Sequence, residues 1–204
     1  MSKILVGVYG SLVNPDKEVT SKLILLGKEL AKHKDEIIIV TGACPGVPLV
    51  VAETAYNLGC EIWGFSPSAD LQSHLKDTPS DNVKIYSKLI YIPYTYEFKD
   101  KLTYCYGYRN HVSTSHVLKG IICQGRWGTL NEATNLIEMG KDVYFYTGTG
   151  GIADEMKSFS KNVKKPIKGK LVFESDPEKL VSMALGQAQN GAIQTLLPLK
   201  LIVA

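Results

Sequence analysis

Eight consecutive residues of this chain combine what anion chemistry requires: Gly125-Arg-Trp-Gly-Thr-Leu-Asn-Glu132. Gly125 and Gly128 let the backbone turn tightly and bring N–H groups close to a ligand, and Thr129 adds a hydroxyl. The apolar run Lys119-Gly-Ile-Ile-Cys123 ahead of them reads as a buried strand, and the pattern from Thr129 onward reads as a helix. A helix that starts from such a turn presents the positive end of its dipole, which favours a phosphate. Glu132, one turn into the helix, stands where a carboxylate can act as acid or base on whatever the turn holds. Each residue also has an ordinary role, because a glutamate in a first helical turn is favourable through the dipole alone and threonine is common there.

Such a turn needs a strand and a helix to hold it, and the chain supplies that alternation repeatedly. Ile4 to Tyr9 is a short apolar run ending at Gly10-Ser11, and Val19 to about Lys32 repeats leucines at helical spacing. Ile37 to Val40 reads as a second strand, Pro48 to Leu58 as a helix stopped by Gly59, and Glu61 to Phe65 as a third strand. Ser66 to Ser87, polar and marked by Pro67 and Pro79, reads as an excursion without regular structure. Beyond it come a strand over Lys88 to Tyr94, a helix over about Asp100 to Val117, a strand over Gly120 to Cys123 and a helix over Thr129 to Met139. A strand over Val143 to Tyr146, a weak helix, a strand over Lys170 to Glu174 and a helix from Pro177 to about Gln189, capped by Asp176, complete the series. This order implies right-handed crossovers and a three-layer α/β fold, its mostly parallel central sheet flanked by helices, formed as a single domain over residues 1–204.

Three turns rich in glycine follow three of these strands: Gly10-Ser11, Thr41-Gly42 through Gly46, and Gly125 to Thr129. In an open parallel sheet they gather at the carboxyl edge, where one crevice can hold all three. Taken singly, each is equally explained as an easy path from strand to helix.

Composition narrows the function classes. The 204 residues are 45% hydrophobic, enough for one sizeable core, and the net charge of +3 comes from 23 basic and 20 acidic residues without a long basic run or an acidic tail. No nucleic-acid partner is expected on that basis, and no membrane association, since no apolar stretch approaches the roughly 20 residues that span a bilayer. Cys44, Cys60, Cys105 and Cys123 stand apart from one another without zinc spacing, which predicts reduced thiols in a cytoplasmic protein and no metal site. His111 and His116 have no acidic or cysteine partner at metal-ligand spacing. Tyr91, Tyr94, Tyr96, Tyr104, Tyr106 and Tyr108 are suited to stacking on a base, but packing is the more economical reading for most of them. Gly148 to Gly151 either closes over a ligand or makes a tight turn.

The segment Gln124-Gly-Arg-Trp-Gly-Thr-Leu-Asn-Glu132, with Arg109 upstream, resembles the LOG family, within a wider group of Rossmann-like proteins often labelled lysine decarboxylases. The family hallmark is Pro-Gly-Gly-x-Gly-Thr-x-x-Glu, preceded by an arginine on the helix before the motif strand. Gly10-Ser11, Thr41-Gly42 with Gly46, and Ser66-Pro67 resemble the family at corresponding places, and the likeness covers roughly residues 4 to 146. It implies hydrolysis of the N-glycosidic bond of a purine nucleoside 5′-monophosphate, with Arg109 and Glu132 as the catalytic pair. Gly10, Ser11, Thr41, Gly42, Gly46, Asn110, Gly125, Arg126, Gly128 and Thr129 would contact the nucleotide or its phosphate. It further implies a homodimer or larger homo-oligomer, and no required cofactor. The apolar segment Leu196 to Val203 suits such an interface and suits a last core strand equally well.

Three departures point toward a sister branch that includes putative molybdenum-cofactor carrier proteins. Gln124 replaces the proline, Arg126 the second glycine, and Asn110 a lysine that follows the arginine in cytokinin-activating members. The alternative function is therefore a non-catalytic carrier of a nucleotide or of molybdenum cofactor. Arg126 either strengthens phosphate binding as a bidentate anion ligand or narrows the pocket against a nucleotide. Lysine decarboxylation finds no support, because nothing marks a Schiff-base lysine.

Overall fold

Alternating apolar positions along seven short strands bury both faces of one sheet. The computed structural model describes residues 2–163 and 165–186. The strands are β1 (Ile4–Gly10), β2 (Ile37–Thr41), β3 (Glu61–Phe65), β4 (Tyr86–Ile90), β5 (Lys119–Cys123), β6 (Asp142–Tyr146) and β7 (Leu171–Glu174). They lie in the order β4-β3-β2-β1-β5-β6-β7, and all six pairings are parallel. Parallel strands require crossovers, and the connections carry α1 (Lys17–Ala31), α2 (Val47–Asn57), α3 (Leu71–Asp77), α4 (Leu102–His116), α5 (Trp127–Glu138) and α6 (Ile152–Asn162). A further helix, α7 (Pro177–Leu185), follows β7.

The period of two divides the core into two layers. Val6, Val8, Ile37, Ile39, Ile121 and Tyr144 pack toward α1, α2 and α7, while Tyr9, Val40, Ile122, Val143 and Phe145 pack with Ala133 and Leu136 of α5 and Ala153 and Met156 of α6. The three-layer α/β reading is therefore the observed architecture. Asp16 caps α1, its carboxylate accepting from Val19 N at 2.8 Å, and Asp176 caps α7 by accepting from Lys179 N at 3.0 Å.

Two expectations are corrected. Residues 66–87 hold α3 and a short 3-10 turn, Val83–Ile85, because buried polar side chains organise them where apolar periodicity is lacking. His74 is wholly buried and meets Ser66 Oγ at 2.9 Å, Asp81 Oδ2 at 3.0 Å and the Thr78 hydroxyl, while the Tyr86 hydroxyl donates to Asp81 Oδ1 at 2.9 Å. The fourth strand runs over Tyr86–Ile90, and the alternating tyrosines after it are not a strand face. Tyr96 instead packs on Tyr108, with ring centres 4.6 Å apart, and Tyr94 donates to Asp70 Oδ2 at 2.8 Å. The segment Leu196 to Val203 and the end of the last expected helix lie outside the described residues.

Candidate functional site

Strand order reverses between β1 and β5: the chain runs outward from β1 through β2, β3 and β4 on one side, and from β5 through β6 and β7 on the other. Gly10 and Cys123 are partners in register, so the loops leaving both strands emerge side by side at the carboxyl edge. A cavity of about 170 Å³ opens there. Gly10, Ser11 and Leu12 line it from the β1 end, Gly42 and Cys44 from the β2 end, and Pro48 from the start of α2. Tyr106, Arg109 and Asn110 contribute from α4, and Arg126, Gly128, Thr129 and Glu132 from the first turns of α5.

Most residues expected at the site are thus brought together, and three stand behind its wall. Gly46 caps α2 at φ 87°, and Val47 N donates to the Ser11 carbonyl at 2.9 Å, so it shapes the loop that carries Ser11. Thr41 Oγ1 accepts from Ala43 N at 3.2 Å and holds the β2 turn. Gly125 adopts φ 103°, and a Cβ there would lie 2.5 Å from Thr129 Cγ2, so only glycine allows the turn to fold back on α5.

The turn before α5 rests on α6. Ile152 N and Ala153 N donate to the carbonyls of Gly125 and Gln124 at 3.1 and 2.9 Å, and Gln124 N donates to Thr149 Oγ1 at 2.8 Å. The Gly148 to Gly151 segment is therefore a support: Gly148 N and Gly150 N donate to Asp154, and the Thr149 hydroxyl donates to the Tyr146 carbonyl at 2.6 Å. The N-terminal end of α5, whose first N–H groups a helix cannot pair within itself, lines the cavity through Gly128 and Thr129.

Backbone strain is concentrated at the same edge. The only non-glycine residues with positive φ among the described residues are Ala43 at 44° and Gln124 at 52°, one beyond β2 and one beyond β5. A proline is locked near φ −65°, so the family's proline is incompatible with the conformation of Gln124. Arg126 sits at φ −129°, ψ −153°, which any residue adopts, and its exposed side chain reaches the cavity mouth.

Arg109 is 5% exposed and donates through Nη1 to the Gly42 carbonyl, with its guanidinium 5.6 Å from the Tyr106 ring centre. Burial opposes its charge, but Cys44 and Glu132 raise its pKa further, so it stays cationic. Burial pushes the Cys44 thiol up to about 11, with Arg109 drawing it partly back. Asn110 ties α4 to α5, donating to the Gly128 carbonyl at 3.3 Å and to Asn131 Oδ1 at 3.1 Å. Asn110 Oδ1 is buried without a hydrogen-bond partner among the described residues.

Glu132 is the most perturbed acid here. Burial lifts its carboxyl from 4.5 to about 7, and Arg109 offsets only part of the shift. Among the described residues it forms no ion pair with Arg109 within 4.0 Å. A buried acid that titrates near neutrality on a cavity wall, facing a fixed cation, is equipped for proton transfer.

Larger depressions, of about 590 Å³ beside α3 and about 680 Å³ between α5, α6 and β7, are lined by no buried titratable group. Leu12, Cys44 and Pro48 were not anticipated at the site. Tyr106, one of the tyrosines suited to stacking for most of which packing is the more economical reading, lines it, and its i, i+3 spacing to Arg109 puts the two on one helix face.

The model of the SLOG cluster4 family matches residues 3–181, which carry the turn, Arg109 and Glu132. The chain belongs to the SLOG cluster4 family. No curated protein matches its sequence. Solved structures similar to this SLOG protein include TM1055, a structural-genomics target, with TM-score 0.69 and 20% identity, covering 90% of this chain and 98% of the other. The molybdenum cofactor binding protein of Rippkaea orientalis aligns with TM-score 0.62 and 17% identity over 90% of this chain and 96% of its own. DNA processing protein A of Streptococcus pneumoniae aligns with TM-score 0.65 and 16% identity, covering 90% of this chain and 62% of the other. At such identities the likeness is one of fold, and it agrees with the Rossmann-like architecture.

Proposed function

We propose that this SLOG protein binds the phosphate-bearing sugar of a purine nucleoside 5′-monophosphate in the cavity and hydrolyses its N-glycosidic bond. The observation that carries this reading is Glu132: a cavity-lining carboxyl held near pKa 7 and facing Arg109. A protein that only holds a ligand gains nothing from keeping a desolvated acid in this state. The phosphate lies against the first-turn N–H groups of α5, the Thr129 hydroxyl and Arg126. Ionised Glu132 takes a proton from water as the water oxygen bonds to C1′; the bond from C1′ to the base nitrogen breaks, its electron pair leaves with the base, and that nitrogen then takes up the proton from Glu132, which restores the carboxylate. Arg109 stabilises the charge that develops, and the products are free base and ribose 5-phosphate.

Incubating the protein with AMP and following free base by chromatography tests this. Release that Glu132→Gln and Arg109→Ala each lower by about 100-fold or more supports it; no release from the wild-type protein refutes it.

A carrier role is the second reading, favoured by Arg126 at the cavity mouth, where a guanidinium adds a permanent anion ligand. Its cargo is a pterin-type phosphate such as molybdenum cofactor, a ligand that the Rippkaea orientalis neighbour is named for binding. Stoichiometric binding of such a ligand without AMP turnover favours this reading over hydrolysis. A DNA processing protein A from Helicobacter pylori, also similar in fold, binds single-stranded DNA. We propose no nucleic-acid partner for this chain, and a shift of a labelled oligonucleotide at physiological salt overturns that.

A further inference from the structure

The cavity is too small to enclose the whole ligand proposed. Pockets that enclose small organic ligands span roughly 300–1,000 Å³, against about 170 Å³ here. A sugar phosphate fills such a volume, and the ring attached to it needs further space. The depression of about 590 Å³ beside α3 supplies it. Gly42 and Cys44, beyond β2, line the cavity, and Ser68 and Asp70, beyond the neighbouring β3, line the depression, so both open along the same carboxyl edge. Helix α4 runs past the two. Leu102, Tyr106 and Arg109 recur at i, i+4 and i+7 on one face of it; Leu102 lines the depression, and the other two line the cavity. The charges give the same adjacency. Burial raises the pKa of the Tyr106 hydroxyl and Arg109 lowers it, while Cys44 from the cavity and Asp77 from the depression both raise it.

Tyr106 therefore stands where the two spaces meet. Its ring is half-buried, with the Arg109 guanidinium 5.6 Å from its centre. On the far side, Asp77 is a carboxylate held in a fixed orientation. The Ser68 hydroxyl donates to Asp77 Oδ2 at 2.8 Å, and Ser68 is itself buried and pinned, its N donating to Ser66 Oγ at 2.9 Å and its carbonyl accepting from Ile92 N at 3.1 Å. Among the described residues no cation lies within 4.0 Å of Asp77, and its Oδ1 has no hydrogen-bond partner. The other carboxylates of the depression are occupied: Asp100 pairs with Lys99 at 3.1 Å, and Asp70 accepts from Ser73 N and the Tyr94 hydroxyl, each at 2.8 Å. An oriented carboxylate without a cation is an acceptor suited to a pair of N–H donors.

We propose that the ring of the ligand crosses the face of Tyr106 and presents to Asp77 the edge that guanine and pterins share, a ring N–H beside an exocyclic amine. The proposal rests on the phosphate-bearing ligand class argued above and names its ring. The two N–H groups of that edge point the same way and match the two oxygens of a carboxylate. Adenine has a ring nitrogen acceptor at the corresponding place, and its lone pair faces the carboxylate unfavourably. Tyr106 adds stacking area for any flat ring, so the choice among rings falls to Asp77.

The full-length protein is titrated with GMP, AMP, a pterin monophosphate and ribose 5-phosphate, following heat of binding and melting temperature. GMP or the pterin phosphate binds at least about tenfold tighter than AMP, and the tighter of those two names the source of the ring. Asp77→Asn, similar in shape but no longer a double acceptor, lowers that preference below about threefold, with ribose 5-phosphate bound as before. Tyr106→Ala weakens every ring-bearing ligand at least about fivefold, and Tyr106→Phe restores most of the loss. The wild-type protein gives an answer even if a variant fails to fold. AMP bound as tightly as GMP and the pterin phosphate overturns the choice of ring and leaves the cavity reading intact. A preference that survives Asp77→Asn overturns Asp77 as its reader. No stabilisation by any of the four ligands overturns the choice of ring and the ligand class together.

Discussion

Glu132 shows how one residue ties function to stability. Its folded pKa of about 7 lies above the ordinary 4.5, so between those values the folded protein holds a proton that the unfolded chain has released. Stability therefore falls as pH rises through that window, by up to about 3 kcal/mol. Glu132→Gln removes the dependence, and thermal melts at pH 5 and pH 8 are expected to show the variant gaining on wild type at the higher pH; parallel profiles would mean the carboxyl is not perturbed. In the proposed hydrolysis the same group is the general base and must be ionised, so kcat/KM for AMP is expected to fall as pH drops through about 7. Gly42 offers a cleaner separation of roles. A Cβ there runs into the guanidinium of Arg109, the movable end of a flexible side chain, and the backbone at Gly42 does not have positive φ. If the proposed hydrolysis holds, Gly42→Ala is expected to cost little stability but about 100-fold in turnover, because a displaced Arg109 loses the alignment that reaction requires; unchanged turnover would show that the position of Arg109 is not critical.

Among the elements, α6 supports the edge where the site lies, and the excursion that holds α3 is braced within itself. Thr149 bridges the end of β6 and the turn before α5, accepting from Gln124 N and donating to the Tyr146 carbonyl. Thr149→Val leaves both groups unpaired in a buried place, at about 1–3 kcal/mol each. A lowered denaturation midpoint together with weakened phosphate binding is the expected result, and lost stability with full binding would show the turn to be rigid without α6. In the excursion after β3, Asp81→Ala strips partners from His74 and the Tyr86 hydroxyl. A loss of about 2–4 kcal/mol is expected from denaturant unfolding, with AMP affinity unchanged.

The cavity lies where the two halves of the sheet diverge, so that a ligand touching the β1, β2 and β5 loops and α4 at once would brace them together. A ligand that binds only the folded state stabilises it by about 2.7 kcal/mol at one hundred times its Kd. For a chain of this size that is a rise of about 5–11 °C in Tm. Differential scanning calorimetry with AMP measures this, and an unmoved transition at millimolar ligand would argue against a nucleotide site. Among the described residues no helix is long and apolar enough to cross a membrane. The homo-oligomer implied by the family resemblance remains a proposal, and sedimentation showing a single monomer at micromolar concentration would overturn it.

The alternation of strand and helix, the buried character of Ile4 to Tyr9 and Lys119 to Cys123, and the glycine turn before Thr129 were legible because each is a local pattern. Apolar period, turn glycines and capping residues act within a few positions of themselves. The site turn and its carboxylate could be named for the same reason, and the family resemblance added Arg109. Residues 66–87 could not be read, since the order there comes from Ser66, His74, Thr78, Asp81 and Tyr86 meeting across the chain, with no periodicity to announce it. Nor could the places of Thr41, Gly46 and Gly125 behind the cavity wall, or of Cys44 and Tyr106 on it. Those depend on which strands are neighbours, and a parallel sheet sets neighbours by crossovers that the local sequence does not encode. The decisive quantity was also tertiary: a glutamate's pKa follows from how much water and charge surround it, and only the packed α4, α5 and strand edge fixed that for Glu132.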